Sequence, residues 1–256
     1  MNLLLLGTGN VFSSRLSPCF ILDRLAVLEL PNGAVKKMKA FHISPMRLRL
    51  CLFSHVHADH CFDFPFLLLE KLQYADSPLL IVGGPTGTAN YLKSLCAIAY
   101  PTLNWTQIFT QTVSQFIEYP NSVYQYQLLH YSVTCHPVKH NDTPCSGFLI
   151  SAPGSGTFAY TGDSSLCAGV NWLAERSDLC CADMNSINPS FGHMSLADMA
   201  ALALQYPQKL YAVHTEDVPF LNTWHCGIFF PDDGTSLELI PDPQKSRDPL
   251  PSRTHE

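Results

Sequence analysis

Apolar residues fall into short runs closed by glycine, proline or asparagine turns. Asn2 to Leu6 is one such run, closed by Gly7-Thr8-Gly9-Asn10, and it predicts a buried strand entering a tight turn. Cys19 to Asp23 and Ala26 to Leu30 predict two more strands, the second ending at Pro31-Asn32-Gly33. Leu48 to Phe53 is a further run that delivers the chain into a polar segment at Ser54. Helical spacing follows over Phe64 to Tyr74, then a strand over Leu79 to Val82, with Gly83-Gly84-Pro85-Thr86 as a turn opening a helix through about Leu95. Ile108 to Ile150 reads as short strands, among them Tyr131 to Val138, and Thr157 to Thr161 as a strand leading into Gly162-Asp163. Ser195 to Gln205 reads as a helix capped by Ser195 with Asp198 three residues on, followed by a strand over Leu210 to Val213. The pattern predicts an α/β chain of two mixed sheets packed face to face with helices outside. Residues 1–240 are expected to form one domain, and Pro241 to Glu256, rich in proline and charge, a mobile tail.

Composition narrows the classes. The 256 residues carry a net charge of −6, which gives no electrostatic footing for a broad nucleic-acid backbone surface. Charged residues make up 14% of the chain, against about 25% in ordinary domains, while 46% are hydrophobic, so the chain is globular rather than disordered. The ten cysteines are scattered, and Cys180 and Cys181 are adjacent, so reduced thiols are expected. The opening Met1-Asn2-Leu3-Leu4-Leu5-Leu6-Gly7 lacks a basic region and its apolar run is short, and nothing later reaches about 18 apolar residues. A cytoplasmic chain with no membrane span is the expectation.

His55-Val56-His57-Ala58-Asp59-His60 places four metal-competent side chains in six positions. Neutral imidazoles and a carboxylate suit Zn²⁺, Mn²⁺ or Fe²⁺, and the lack of cysteine disfavours a closed structural zinc site. The spacing suits two metals, so further ligands must come from elsewhere. His140, Asp163 and His214 each follow a predicted strand. Each also has a plainer reading: His136 competes with His140, Asp163 is an ordinary turn residue, and His214 could sit in the core. His193 follows Gly192, and its plainer reading is a residue that simply precedes the helix.

Taken with Leu6-Gly7-Thr8-Gly9, Gly84-Pro85-Thr86-Gly87-Thr88, Pro144-Cys145-Ser146-Gly147-Phe148, Tyr160-Thr161-Gly162-Asp163-Ser164 and Gly192-His193-Met194-Ser195, the cluster resembles the metallo-β-lactamase superfamily, in its tRNase Z (RNase Z)-like branch. The resemblance covers about residues 2 to 216 and implies a four-layer αββα sandwich. It implies two divalent metal ions, zinc first with manganese or iron allowed. His55, His57 and His140 would hold one, Asp59, His60 and His214 the other, with Asp163 bridging. A hydroxide between the ions would be the nucleophile. Asp59 also joins the catalytic set, His193 would be general acid or oxyanion donor, and Thr8 and Gly9 would shape the metals' surroundings.

Two departures qualify the resemblance. The branch usually has an acidic residue just before the glycine turn of the second hairpin, and Leu28-Glu29-Leu30-Pro31-Asn32-Gly33 suggests that this carboxylate has moved or gone. Only 22 residues separate His140 from Asp163, where tRNA-processing members insert a long arm. The expected function is therefore a dinuclear metal-dependent hydrolase acting on a small phosphodiester or related ester, with nucleic acid not favoured. The alternatives are tRNA 3′-end processing, thioester or lactone hydrolysis, and a non-catalytic metal protein or mononuclear iron sulfur-oxidising enzyme. Relatives are often dimers, which keeps a homodimer open.

Overall fold

In the computed structural model, residues 1–217, 224–225 and 227–241 are described. The first half of the chain runs β1 (Asn2–Gly7), β2 (Cys19–Leu22), β3 (Ala26–Leu28), α1 (Ala34–Ala40), β4 (Leu50–Leu52), α2 (Ala58–Cys61), α3 (Phe64–Leu72), β5 (Leu80–Pro85), α4 (Thr88–Ala99), α5 (Trp105–Thr112) and β6 (Val113–Tyr119). The second half runs β7 (Tyr124–Leu128), β8 (Tyr131–His140), β9 (Thr143–Ser151), β10 (Phe158–Tyr160), α6 (Ala168–Arg176), β11 (Leu179–Asp183), α7 (Leu196–Gln205), β12 (Leu210–Val213), β13 (Trp224–His225), β14 (Ile228–Phe229) and β15 (Thr235–Glu238). One sheet has the order β15-β1-β2-β3-β4-β5-β6, the other β13-β14-β12-β11-β10-β9-β8-β7. Both mix parallel and antiparallel pairs.

Alternation along the strands sorts side chains into layers. Leu3, Leu5, Leu50 and Leu52 of the first sheet meet Val133, Phe148, Phe158, Tyr160 and Cys181 of the second between the sheets. The intervening Cys51 points to the other face, where it joins Val35, Met38, Leu67, Leu68, Leu92 and Ile108 from α1, α3, α4 and α5. Ala159, Cys180 and Ala182 likewise face α6 and α7 through Val170, Leu173, Met199 and Leu202. The result is the expected four-layer αββα sandwich. Strands buried on both faces explain why so many runs lack a polar alternate.

Several local expectations change. Gly83 and Gly84 continue β5 instead of turning, because a Cβ on Gly83 would fall 2.1 Å from Tyr119 Oη and one on Gly84 2.4 Å from Thr88 Oγ1. Their bareness serves close packing. Ile108 belongs to a helix, not a strand: Trp105, Ile108 and Thr112 are the buried face of α5, and the Asn104 side chain accepts from Gln107 N at its start. The third strand stops at Leu28, since Glu29 turns left-handed at φ 62°. α7 starts as expected, with Ser195 and Asp198 forming a reciprocal capping box. Of the expected tail, residues 242–256 lie outside the described residues. Among the described residues nine cysteines are free thiols, eight of them buried, and no helix is long and apolar enough to cross a membrane.

Candidate metal centre

Strand direction gathers the site. β8 and β10 each pair antiparallel with β9, and β10, β11 and β12 run parallel, so the carboxyl ends of β8, β10, β11 and β12 share one edge. His140 and Asp183 terminate β8 and β11, Asp163 follows β10 through a left-handed Gly162, and His214 follows β12 with its own φ at 57°. From the facing sheet, β4 runs through Phe53 and Ser54 into His55 and His57, and the single turn of α2 then lifts Asp59 and His60 to the same place.

Asp163 Oδ2 is the centre of the arrangement. It lies 3.8 Å from His55 Nε2, 3.4 Å from His60 Nε2, 3.6 Å from His214 Nε2, 4.0 Å from His140 Nε2 and 3.9 Å from His193 Nδ1. On one side His55, His57 and His140 each bring a ring nitrogen within 4.8 Å of the others, and on the other a carboxylate oxygen of Asp59 and a ring nitrogen each of His60 and His214 do the same. All seven residues expected to bind metal are thus brought together. His136 is not among them, because its Nδ1 faces Pro137 O at 2.8 Å and its ring packs 5.0 Å from Trp172. His130 pairs with Asp23 and Tyr131, away from this edge.

Nδ1 of His55, His140 and His214 each faces a protein group, which fixes the ring's direction. Ser54 Oγ lies 3.0 Å from His55 Nδ1, Gly192 O 3.1 Å from His140 Nδ1, and Asp183 Oδ1 3.3 Å from His214 Nδ1. Asp183 Oδ2 also accepts from His193 Nδ1 at 2.8 Å and from Ser164 N at 2.9 Å. Behind His60 sits Glu29, fully buried, with Oε2 3.8 Å from His60 Nδ1 and Oε1 accepting from Ser54 N at 2.9 Å. The carboxylate expected to have moved or gone is therefore not lost: Glu29 supplies one behind His60, with its backbone left-handed at φ 62°. Asp183 was missed by sequence reasoning. Its signal was available, since it ends the apolar run Leu179-Cys180-Cys181-Ala182 as the other site residues end theirs.

The donor set fits cations. His55 Nε2, His60 Nε2 and Asp163 Oδ1 are buried yet find no hydrogen-bond partner among the described residues, a costly state that bound metal ions relieve. Charges in the site are strongly coupled. Burial and the neighbouring His60 push His55 well below the usual histidine range. Burial also opposes a charged His60, but Asp163 and Glu29 outweigh it and hold His60 well above that range. His214 rises to about 10 against its burial, through Asp163, Asp183 and Asp59. Asp163 is held well below the carboxylate range, its burial overcome by His214, His60 and His55. His193 is raised, its partial burial outweighed by the hydrogen bond and charge of Asp183.

Thr8 and Gly9 lie beside this edge. Gly9 bridges to Thr215, and Arg15 spans Thr8 Oγ1, Thr215 Oγ1 and Asp217, tying the N-terminal loop to the segment after His214.

The family model described as Beta-lactamase superfamily domain matches residues 32–215. A Ribonuclease Z of Parabacteroides distasonis is 24% identical over 132 residues, covering 50% of this chain and 40% of that protein. The chain spans less than half the length of the first curated relatives it matches. Among solved structures, human tRNase Z, short form, superposes with a TM-score of 0.71 at 18% identity, covering 94% of this chain and 100% of that one. A diphosphatase from the PhnP family superposes with a TM-score of 0.72 at 17% identity, covering 94% and 99%.

Proposed function

This chain belongs to the beta-lactamase superfamily, and from that premise we propose that it is a metal-dependent hydrolase of a small phosphodiester or related ester. The observation that carries the reading is the convergence of five imidazoles within 4.0 Å of Asp163 Oδ2, two of which, His55 and His60, carry buried, unpartnered nitrogens. In this reading His55, His57 and His140 hold one divalent ion, Asp59, His60 and His214 a second, and Asp163 is shared, with zinc favoured and manganese or iron allowed. When bound, the pair of ions supplies a water nucleophile at neutral pH and neutralises charge gathering on the attacked group.

The chain's own residues do the rest. Asp163 and Asp59 bring negative charge between the two histidine sets, which lowers the mutual repulsion of two cations. Asp59, with a side chain 19% exposed, is the carboxylate open enough to accept a proton from the incoming water. Asp183 fixes Nδ1 of His193, so the proton of this partly exposed ring is offered from Nε2 to the leaving oxygen. The buried Ser54, Glu29 and Asp183 hold the rings in place, so little reorganisation is needed at the moment of reaction.

A small ester is favoured over tRNA because β9 and β10 take up much of the short stretch from His140 to Asp163, leaving no room for a long arm there, and because the chain carries a net charge of −6. The relatives named Ribonuclease Z favour tRNA 3′-end cleavage as the second reading. The test is turnover of bis(p-nitrophenyl) phosphate by metal-stripped protein on adding Zn²⁺ or Mn²⁺, beside cleavage of a precursor tRNA. Metal-dependent release of p-nitrophenolate without tRNA cleavage is the expected result. Absence of metal-dependent hydrolysis of phosphodiesters, thioesters and lactones alike would contradict the reading.

A further inference from the structure

Phe12 and Phe191 are each 86% exposed, at least twice as much as Phe41, Phe62 or Phe66, and Val11 is 58% exposed. A phenyl ring left in water forgoes the burial of roughly 150–250 Å². Both rings stand on turns anchored to the metal centre. Phe191 precedes Gly192, whose carbonyl lies 3.1 Å from His140 Nδ1, and His193 follows. Gly192 has φ +85°, and Asn141 leaves no room for a Cβ there, so this turn is held in one shape. Phe12 lies at the tip of the turn closed by Ser13 N donating to Asn10 O, and Asn10 N donates to Thr215 O, next to His214.

A polar spine joins the two tips. Asn10 Nδ2 donates to Asn185 O at 2.9 Å and to Asn185 Oδ1 at 2.8 Å, and Asn185 Nδ2 donates to Ser190 Oγ at 3.3 Å. Phe12 N in turn donates to Asn10 Oδ1 at 3.0 Å. The rings are therefore fixed to a common frame at the rim of the cluster rather than scattered. Arg15, the cation built into the same frame, is engaged with Thr8, Thr215 and Asp217. With Arg15 engaged, this rim offers the exposed ring faces of Phe12 and Phe191, which suits a flat uncharged group carried by the ester.

We infer that Phe12 and Phe191 form a subsite that stacks on a planar aromatic group of the substrate, a nucleobase or an aryl ring, beside the metal centre. The inference rests on the hydrolase reading and narrows its substrate class. Aromatic stacking tolerates different bases, since every base presents a π-face. Val11 extends the apolar surface at the ring edge.

Calorimetric titration of the metal-loaded full chain with ribose 5-phosphate, phenyl phosphate and a nucleoside 5′-monophosphate tests it. The ring-bearing phosphates are expected to bind about tenfold more tightly than ribose 5-phosphate, within the range that stacking on one ring supplies. Whichever of the two gains more identifies nucleobase or aryl as the natural group. Phe191→Ala and Phe12→Ala should erase the advantage while leaving ribose 5-phosphate binding as it was, and Phe191→Tyr should restore it. Equal affinity for all three ligands, with ribose 5-phosphate binding still metal-dependent, overturns the subsite and leaves the hydrolase reading standing. A ring preference that survives both alanine substitutions overturns it as well. So does a dimer that dissociates in Phe191→Ala with the ring preference unchanged, since the phenyls then belong to a second copy of the chain. Loss of all metal-dependent phosphate binding in the wild-type protein overturns the hydrolase reading and the subsite together.

Discussion

Asp183 Oδ2 accepts the Nδ1 proton of His193 at 2.8 Å, and the other oxygen of the same carboxylate stands 3.3 Å from His214 Nδ1. One buried acid thus serves both the proposed proton donor, His193, and the proposed metal ligand His214. Asp183→Asn removes the charge that raises His193, so His193 loses its proton at lower pH. The basic limb of the pH–rate profile should move to lower pH, and activity should fall about 10–100-fold, as for other groups that orient metal-bound histidines. His193→Ala should lower kcat with metal content unchanged, a split that steady-state kinetics beside metal analysis would reveal.

Metal loading should displace protons. Without cations, His60 is held well above the histidine range and His214 at about 10, so both carry protons at neutral pH. A cation must expel those protons, so apparent metal affinity should rise with pH until about 10 and loading at pH 7 should release protons. Calorimetry in buffers of different ionisation enthalpy reads the release directly. A pH-independent affinity would contradict the assignment of these two rings as ligands.

Glu29 shows how a small backbone change hides a functional residue. Its φ of 62° is unusual for a non-glycine residue, and it turns the carboxylate onto Ser54 N and towards His60. Glu29→Ala leaves the buried Ser54 N–H without its acceptor, a loss of about 1–3 kcal/mol in urea unfolding. Glu29→Gln keeps an oxygen there and should cost less stability, but it removes charge facing His60 and should weaken metal binding.

Lys71 gives a pH signature independent of the metal centre. Its Nζ donates to Leu48 O at 2.8 Å and Met46 O at 3.1 Å, and burial holds it down to about 8. The unfolded chain binds this proton up to about pH 10.4, so between about 8 and 10.4 the unfolded state carries more of it and this group's contribution to stability rises with pH. Lys71→Met should flatten that part of the stability-versus-pH curve, measured by denaturant unfolding across the interval.

Much of the centre was legible because its chemistry is concentrated where strands end. His55, His57, Asp59 and His60 stand together in the chain, and His140, Asp163 and His214 each stand at or just past the end of a strand. The residues behind them were harder to read. Asp183 ends a run just as apolar, but it faces two rings that are distant in sequence. Glu29 was discounted because its position relative to the glycine turn was unusual, and only its left-handed φ restores the contact. Gly83 and Gly84 read as a turn because glycine usually marks one, whereas Tyr119 and Thr88 use the space they leave. α5 was obscured by β-branched and aromatic residues whose helical spacing becomes evident only once Trp105, Ile108 and Thr112 are seen on one buried face.

The central claim is that Asp163 stands between two cations, and anomalous diffraction at the zinc and manganese edges from crystals of metal-loaded protein tests it most directly. The account predicts two peaks flanking Asp163, one among His55, His57 and His140 and the other among Asp59, His60 and His214. A single peak, or none within reach of Asp163, would contradict it.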